Sequence, residues 1–235
     1  MDVNNKYLKY KTKYLEILKG GANKDRTFYI GIGGASGCGK TYFATTIKKN
    51  LDKVYPGKVE IISCDNYYNS HPGNKRAPPD YNWDLPSTLD LKLLAKHLIE
   101  LKNGKKIEVP KFNFVTSQRE GIDKIIDGSK IKIIIVEGLF VLYDKNLREN
   151  FDLKIFTLLD PDICLARRLN RDVSERGASY EETIMRYQKD VKPAYANYIE
   201  PTKIYSDIII STSEYTNTNK SVDIINNYIV SKLKK

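Results

Sequence analysis

The alternation of apolar strands with amphipathic helices predicts an α/β fold, in which a parallel five-stranded sheet is flanked by helices. Runs of β-branched and apolar residues indicate buried strands at 28–33, 59–63, 132–136, 154–158 and 207–211. Helical patterns alternate with them, at 41–51, 89–102, 161–175, 180–197 and 219–233. Strands that are apolar throughout are typical of parallel sheets covered on both faces. Ligands of such sheets bind beyond the carboxyl ends of the strands.

A chain of 235 residues, 41% of them hydrophobic, can bury one substantial core. We therefore assign residues 25–235 to one domain and residues 1–24 to a basic N-terminal extension. In that extension, apolar residues recur at near-helical spacing among lysines until Gly20 and Gly21 end the run. It is either a partly ordered extension or a helix that docks on a partner or a membrane surface. Within the domain, 106–109 and 121–126 predict a small β-hairpin.

The composition limits the partners and the compartment. The net charge of +10 favours nucleic acid in general, but the lysines are scattered, so we expect no specific nucleic-acid partner. Cys38, Cys64 and Cys164 form no C-x-x-C pair, which fits a reducing compartment and predicts neither a disulfide nor a zinc site. No apolar run approaches the ~20 residues needed to cross a bilayer, so we expect no membrane span and a cytoplasmic location.

One motif predicts a site for nucleotide phosphates. Residues 34–41 fit G-x-x-x-x-G-K-[ST], with a predicted strand before them and a predicted helix after them. Backbone N–H groups of the glycine-rich turn and of the helix N-terminus bind anions. Lys40 would reach the β- and γ-phosphates of ATP, and the Thr41 hydroxyl would hold Mg²⁺, which indicates a phosphate-loop NTPase fold. The predicted nucleotide-binding residues are Gly34, Ala35, Ser36, Gly37, Cys38, Gly39, Lys40 and Thr41.

Two carboxylates follow other predicted strands at the same edge of the sheet. Asp65 comes directly after the strand that ends at Ser63, and Glu137 follows the strand at 132–136. A carboxylate beside the phosphate loop can accept the proton of an attacking hydroxyl or help hold Mg²⁺. A single acidic residue at a strand end is usually only solvated, but two at this edge favour a functional interpretation.

A predicted helix carries four arginines, Arg167, Arg168, Arg171 and Arg176. Residues at these spacings share a helix face, and guanidinium groups suit the charge spread over a transferring phosphoryl group. Gly177 would let this helical lid hinge. The alternative is a surface helix whose arginines pair with Asp172 and Glu175.

From about residue 27 to 212 the chain resembles the uridine/cytidine kinase family. The resemblance rests on the ordered set of residues 34–41, 63–68, 82–84, 136–138, 167–177 and 199–203. Family members transfer the γ-phosphoryl group of ATP to the 5′-hydroxyl of uridine or cytidine, which yields UMP or CMP in pyrimidine salvage. The resemblance implies ATP and Mg²⁺ as cofactors, a nucleoside substrate and a homo-oligomer, either a tetramer or a dimer. The extension 1–24 is similar to segments in proteins of large DNA viruses, a source that would imply the host cytoplasm.

The resemblance also implies a role for each matching residue. Asp65 would be the general base and, with Thr41 and Glu137, would hold Mg²⁺. Lys40, Arg171 and Arg176 would act on the phosphates as catalytic residues. Asp84 and Arg168 would bind the ribose hydroxyls. The remaining residues implied in substrate binding are Tyr68, Trp83, Phe112, Phe114, Ser117 and Arg186, among which Trp83 would form an aromatic wall.

The departures from the family lie where the base is bound. Phe112, Asn113 and Ser117 stand where the family has Tyr, Asp and His. Ala178 and Arg186 stand where Arg and Gln are typical, and neither His71 nor His97 falls at a matching site. Because a site discriminates through its hydrogen bonds to the substrate, these changes predict weaker selection of the base.

We therefore predict an ATP- and Mg²⁺-dependent nucleoside kinase that acts on uridine and cytidine. Among enzymes, the alternative is a related small-alcohol kinase of the phosphoribulokinase or pantothenate kinase type. A different class is a non-catalytic nucleotide-binding protein that regulates or docks. The altered base pocket slightly favours both alternatives. Asp65, Glu137 and the lid arginines argue against a protein that only binds, because binding needs no base.

Overall fold

Five parallel strands form the central sheet of the computed structural model, which describes residues 26–78, 80–213 and 218–234. A separate antiparallel hairpin consists of β3 (Lys106–Asn113) and β4 (Gln118–Asp127). The sheet strands are β1 (Phe28–Gly34), β2 (Val59–Ser63), β5 (Ile133–Glu137), β6 (Leu153–Leu158) and β7 (Ile208–Ser211), in the spatial order β2-β5-β1-β6-β7. The predicted α/β fold is confirmed. The predicted extension 1–24 lies outside the described residues.

Seven α-helical segments occur in the described ranges, and none is long and apolar enough to cross a membrane. They are α1 (Lys40–Leu51), α2 (Leu91–Lys102), α3 (Lys145–Arg148), α4 (Pro161–Arg176), α5 (Tyr180–Arg186), α6 (Lys192–Ala194) and α7 (Thr218–Leu233). Helix α2 begins later than predicted because Asp90 caps it, with its side chain accepting a hydrogen bond from the Leu93 N–H at 2.9 Å.

Strand β5 shows why the sheet is covered on both faces. All of its residues are buried, and successive side chains point to opposite faces. Ile133 and Ile135 belong to the apolar cluster that includes residues of α1 and α7. Ile134 and Val136 belong to the cluster on the other face, which includes residues of α2. The sheet is therefore a middle layer, and only its strand ends are left for a ligand.

The hairpin is longer than the two short strands predicted. The strands shift register at Pro110, which has no N–H to donate. Because this shift interrupts the alternation of residues, the local sequence pattern does not predict the full length of the two strands. Asn113 closes the turn, since its Oδ1 accepts hydrogen bonds from the N–H groups of Val115 (2.9 Å) and Thr116 (3.3 Å). Arg119 then ties the hairpin to the turn after β2 by donating to the carbonyl oxygen of Tyr67 at 3.0 Å.

The predicted single helix at 180–197 is wrong in its detail. Only α5 and the short α6 are α-helical there, and wider π-helical turns at Tyr187–Val191 and Tyr195–Ile199 interrupt the segment. Pro193 lacks the N–H that a regular helical ladder needs at this position. π-Helical turns inside helices often occur at functional sites.

Candidate active site

The loop after β1 has a shape that requires glycine. Gly34 and Gly37 have φ angles of 147° and 80°. A Cβ atom on Gly37 would lie 2.3 Å from the carbonyl oxygen of Cys164, and one on Gly34 would lie 2.6 Å from that of Thr157. The loop therefore packs directly on α4 and β6. It leads into the N-terminus of α1, where unpaired N–H groups and the helix dipole favour an anion.

Lys40 and Cys38 have different positions in this loop. Lys40 is buried, and its Nζ donates to the carbonyl oxygen of Ala35 at 2.7 Å. The fully buried Cys38 has its Sγ 3.0 Å from the Oγ1 of Thr157, which anchors the loop to β6. The residues Ser36, Gly37, Gly39, Lys40 and Thr41 line a cleft, whereas Gly34, Ala35 and Cys38 do not.

Two carboxylates meet at the carboxyl ends of β2 and β5. Glu137 ends β5, is 4% exposed, and accepts a hydrogen bond from the Ser63 hydroxyl at 2.8 Å. Burial and the nearby charge of Asp65 raise the pKa of Glu137, against the lowering effect of Lys40 and of hydrogen bonds from Ser63 and Thr41. Asp65 lies on the short helical turn Cys64–Tyr67, and its N–H donates to the Ser63 hydroxyl at 3.4 Å.

This set of oxygen ligands fits Mg²⁺. The ion usually keeps several waters and binds through one or two carboxylates together with substrate phosphates. Glu137, Asp65 and the Thr41 hydroxyl supply protein oxygens beside the phosphate loop. No group of three or more His, Cys, Asp or Glu side chains that could hold a metal occurs among the described residues. The ion would therefore depend on the nucleotide phosphates, and it would relieve the repulsion between the two carboxylates.

We expect activation by Mg²⁺ to weaken as the pH falls. Because its pKa is raised, Glu137 takes up a proton at a higher pH than an ordinary carboxyl, and the protonated form does not bind a cation. As the pH falls, the free Mg²⁺ concentration for half-maximal activity should begin to rise at a higher pH than the titration of an ordinary carboxyl would produce. Glu137→Gln should need more Mg²⁺ at every pH and show a flatter dependence. The pH dependence of the Mg²⁺ requirement that remains in this variant reports the protonation of the nucleotide phosphates. An unchanged Mg²⁺ requirement in this variant would exclude Glu137 as a ligand.

Asp172 holds three lid arginines together on α4. Asp172 is 6% exposed, and its carboxylate lies 3.1 Å from Arg168 Nε, 2.8 Å from Arg171 Nη2 and 3.5 Å from Arg176 Nη1. The alternative of a salt-bridged surface helix is therefore right about Asp172, although Glu175 is exposed and outside the cluster. All four arginines, Arg167, Arg168, Arg171 and Arg176, also line the cleft.

Arg176 connects the lid to the opposite side of the cleft. Its Nη2 lies 4.0 Å from Asp65 Oδ2. Its guanidinium carbon also lies 4.0 Å from the centre of the Phe114 ring, a cation–π distance. The lid, the candidate base and the hairpin thus meet at one point.

Arg168 and Asp84 form a buried ion pair beside the phosphate loop. Arg168 Nη1 donates to Asp84 Oδ1 at 3.4 Å and to the Ser36 hydroxyl at 3.1 Å. Burial opposes the charge of Arg168, but Asp84 and Asp172 more than offset it, so the pKa of Arg168 is raised. The pair joins α4, the loop and the 82–84 segment.

Aromatic rings form a wall of the cleft. Tyr68 lies 5.5 Å from Trp83 and 5.3 Å from Phe112 between ring centres, and Phe112 lies 5.2 Å from Phe114. Tyr81 extends the wall, 4.6 Å from Trp83. Flat apolar walls with a few polar groups suit a ligand that carries an aromatic base.

The cleft has a volume of about 290 Å³. All predicted site residues line the cleft except Gly34, Ala35 and Cys38 of the loop. Those that line it are Ser36, Gly37, Gly39, Lys40, Thr41, Asp65, Tyr68, Trp83, Asp84, Phe112, Phe114, Ser117, Glu137, Arg168, Arg171, Arg176 and Arg186. The sequence interpretation missed other lining residues, among them Arg76, Tyr81, Glu182, Thr183 and Asp190. Each of these is brought there by the tertiary fold, and no short motif marks it. Asp172, which the sequence offered only as an ion-pair partner of the arginines, also lines the cleft.

The two histidines lie outside the lining of the cleft. The ring of His71 contacts Tyr81, with 4.8 Å between ring centres, and the backbone N–H of His71 donates to the carbonyl oxygen of Ser117 at 3.0 Å. His97 is paired with the hydroxyl of Tyr67 at 2.9 Å, and burial lowers its pKa. Ser117, at a φ of 60°, is 5% exposed. His71 therefore supports the aromatic wall without taking the place of the histidine that the family has.

The parallel sheet, the loop at its carboxyl edge and the arginine lid define a phosphate-loop kinase. Residues 29–219 match the model of the phosphoribulokinase/uridine kinase family. The chain belongs to this family.

Named relatives agree with this assignment. The chain is 41% identical to a uridine kinase of Pectobacterium atrosepticum over 77% of the chain and 85% of that protein. It is 36% identical to uridine-cytidine kinase A of Dictyostelium discoideum over 91% of the chain and 41% of that longer protein. The solved phosphoribulokinase of Rhodobacter spheroides has the same fold, with a TM-score of 0.58 and 17% identity, over 83% of the chain and 74% of that structure.

Proposed function

We propose that the protein transfers the γ-phosphoryl group of ATP to the 5′-hydroxyl of uridine and cytidine. One observation carries this proposal. A single cleft places Lys40 of the phosphate loop, the Asp65 carboxylate and the Arg168–Asp84 pair around one space walled by aromatic rings. A nucleoside needs these three kinds of group, which act on the phosphates, on the attacking hydroxyl and on the sugar. The family membership supports the same reaction.

Phosphoryl transfer needs mainly positioning and charge stabilisation from the protein. In this proposal, Asp65 accepts the proton of the 5′-hydroxyl as that oxygen attacks. Lys40, Arg171 and Arg176 stabilise the charge that spreads over the transferring group. Arg168 and Asp84 hold the ribose. Thr41, Glu137 and Asp65 would hold Mg²⁺, which when bound neutralises charge on the phosphates.

The small-alcohol kinase is the alternative within the same family. The aromatic wall favours the nucleoside, because a short sugar phosphate or pantothenate offers no flat ring to cover it. Turnover of nucleosides but not of ribulose 5-phosphate or pantothenate would support the proposal, and the reverse would overturn it. A protein that binds ATP and turns over none of them would be a non-catalytic nucleotide-binding protein. A cytoplasmic location and assembly into a dimer or tetramer stay predictions.

The enzyme should discriminate poorly between bases. Phe112 offers no hydroxyl, Ser117 has a short side chain, and Asn113 is engaged in the hairpin turn, where its Nδ2 also donates to Glu120 at 2.9 Å. Each missing hydrogen bond to a neutral group costs about 0.5–1.5 kcal/mol, or roughly two- to tenfold in kcat/KM. Steady-state kcat/KM for uridine, cytidine, deoxyuridine and inosine measures this.

In the same panel of substrates, the enzyme should discriminate more strongly between ribose and 2′-deoxyribose than between bases, since the Asp84 and Arg168 pair that we assign to the ribose is present. A strong preference for uridine over cytidine, with deoxyuridine used equally well, would contradict this account of the pocket.

A further inference from the structure

Asp190 is a buried carboxylate that the roles above leave unused. It lies in the π-helical turn Tyr187–Val191, is 6% exposed, and lines the cleft. It forms no ion pair and no side-chain hydrogen bond with another residue that the structure describes, and neither of its oxygens is sealed off from the cleft. A carboxylate that faces a cleft and has no partner of its own can accept hydrogen bonds from a group that enters the cleft.

Asp190 lines the same cleft as the Arg168–Asp84 pair. Its pKa is raised, chiefly by burial and also by the charge of Asp84, although Lys189, Arg186 and Arg168 act in the opposite direction. Arg186 is ion-paired with Glu182, one helical turn earlier, at 3.1 Å. Arg168 is ion-paired with Asp84 at 3.4 Å and with Asp172 at 3.1 Å, whereas Asp190 forms no ion pair with it.

Asp84 and Asp190, two carboxylates that line one cleft, match the two hydroxyls of a ribose. An ionised carboxylate only accepts hydrogen bonds, and the 2′- and 3′-hydroxyls on adjacent carbons are two neighbouring donors. A single carboxylate that is already bonded to Arg168 has less capacity left for both. A second acceptor at Asp190 would let each hydroxyl donate to its own carboxylate, in a charge-assisted bond.

We propose that Asp190 accepts a hydrogen bond from one ribose hydroxyl of the nucleoside while Asp84 accepts from the other, so that Asp190 is a specificity-determining residue for ribonucleosides. The inference rests on the proposed function. It adds a residue outside the motifs of the sequence, on the π-helical turn Tyr187–Val191.

The test compares substrates within one variant. Asp190→Ala should lower kcat/KM for uridine by about tenfold or more, the usual cost of losing a hydrogen bond to a charged group. It should leave kcat/KM nearly unchanged for either 2′-deoxyuridine or 3′-deoxyuridine, whichever lacks the hydroxyl bound by Asp190. The ratio between substrates does not depend on the fraction of folded enzyme. Glu181→Gln, which removes an exposed carboxylate of the same lid segment, should leave all three values unchanged.

Two outcomes would overturn the inference: an equal loss for all three nucleosides, which marks a structural role, or no loss for uridine. Failure of the proposed function would give a different result. The wild-type enzyme would then phosphorylate none of the three nucleosides, although each keeps its 5′-hydroxyl.

Discussion

Lys40→Ala should abolish phosphoryl transfer, with kcat falling by roughly 10³-fold or more. The Lys40 side chain is buried at the start of α1 and, in this structure, donates to the carbonyl oxygen of Ala35. That contact keeps the ammonium group within the loop, where a nucleotide phosphate can compete for it. Without Lys40, the charge on the γ-phosphoryl oxygens has no fixed cation from the loop. Single-turnover kinetics with ATP and uridine measures the chemical step directly.

Lys49→Ala provides a matched control, because Lys49 is an exposed lysine on the same helix. It should turn over like the wild type. Circular dichroism of both variants checks that α1 is intact. Comparable turnover in Lys40→Ala would mean that the loop is not the phosphate site, and the kinase assignment of this cleft would fail with it.

The fold was predictable where burial alone determines the pattern. The strands of the sheet are apolar on both faces, as in 133–137, so their position follows from the sequence. The hairpin was only partly predictable, because Pro110 and the Asn113 turn break the alternation while pairing between the strands continues beyond them. The π-helical turns around Pro193 were not predictable, since they preserve the spacing of apolar residues closely enough to suggest one helix.

The site was predictable where chemistry follows directly from a strand end or a motif. Asp65 and Glu137 each follow a strand whose direction is known, so their convergence needs only a parallel sheet. Tyr81 and Asp190 show what sequence reasoning cannot supply. Tyr81 lines the cleft and makes ring contacts with His71 and Trp83, and Asp190 lines it from the π-helical turn Tyr187–Val191. Asn113 is the opposite case, a departure from the family that the structure assigns to turn geometry.

Asp65→Asn should lower kcat by roughly 10²–10⁴-fold, the range expected for loss of a general base. The substitution keeps the size of the side chain but removes its capacity to accept a proton. Asp65 lines the cleft and lies 4.0 Å from Arg176, so the asparagine also removes the negative charge that faces this arginine. The KM for ATP should change little, because the loop from Gly34 to Thr41 holds the phosphates.

The kinetics of Asp65→Asn should separate two roles of this carboxylate. If Asp65 acts as the base, kcat falls at all Mg²⁺ concentrations and excess Mg²⁺ does not restore it. If its main role is to hold the metal, added Mg²⁺ recovers much of the loss. Asp223→Asn removes an exposed carboxylate on α7, far along the chain from the cleft residues, and should turn over normally. Near-normal turnover in Asp65→Asn would exclude Asp65 from the mechanism, and the proton would then leave through solvent or through another group at the edge of the sheet.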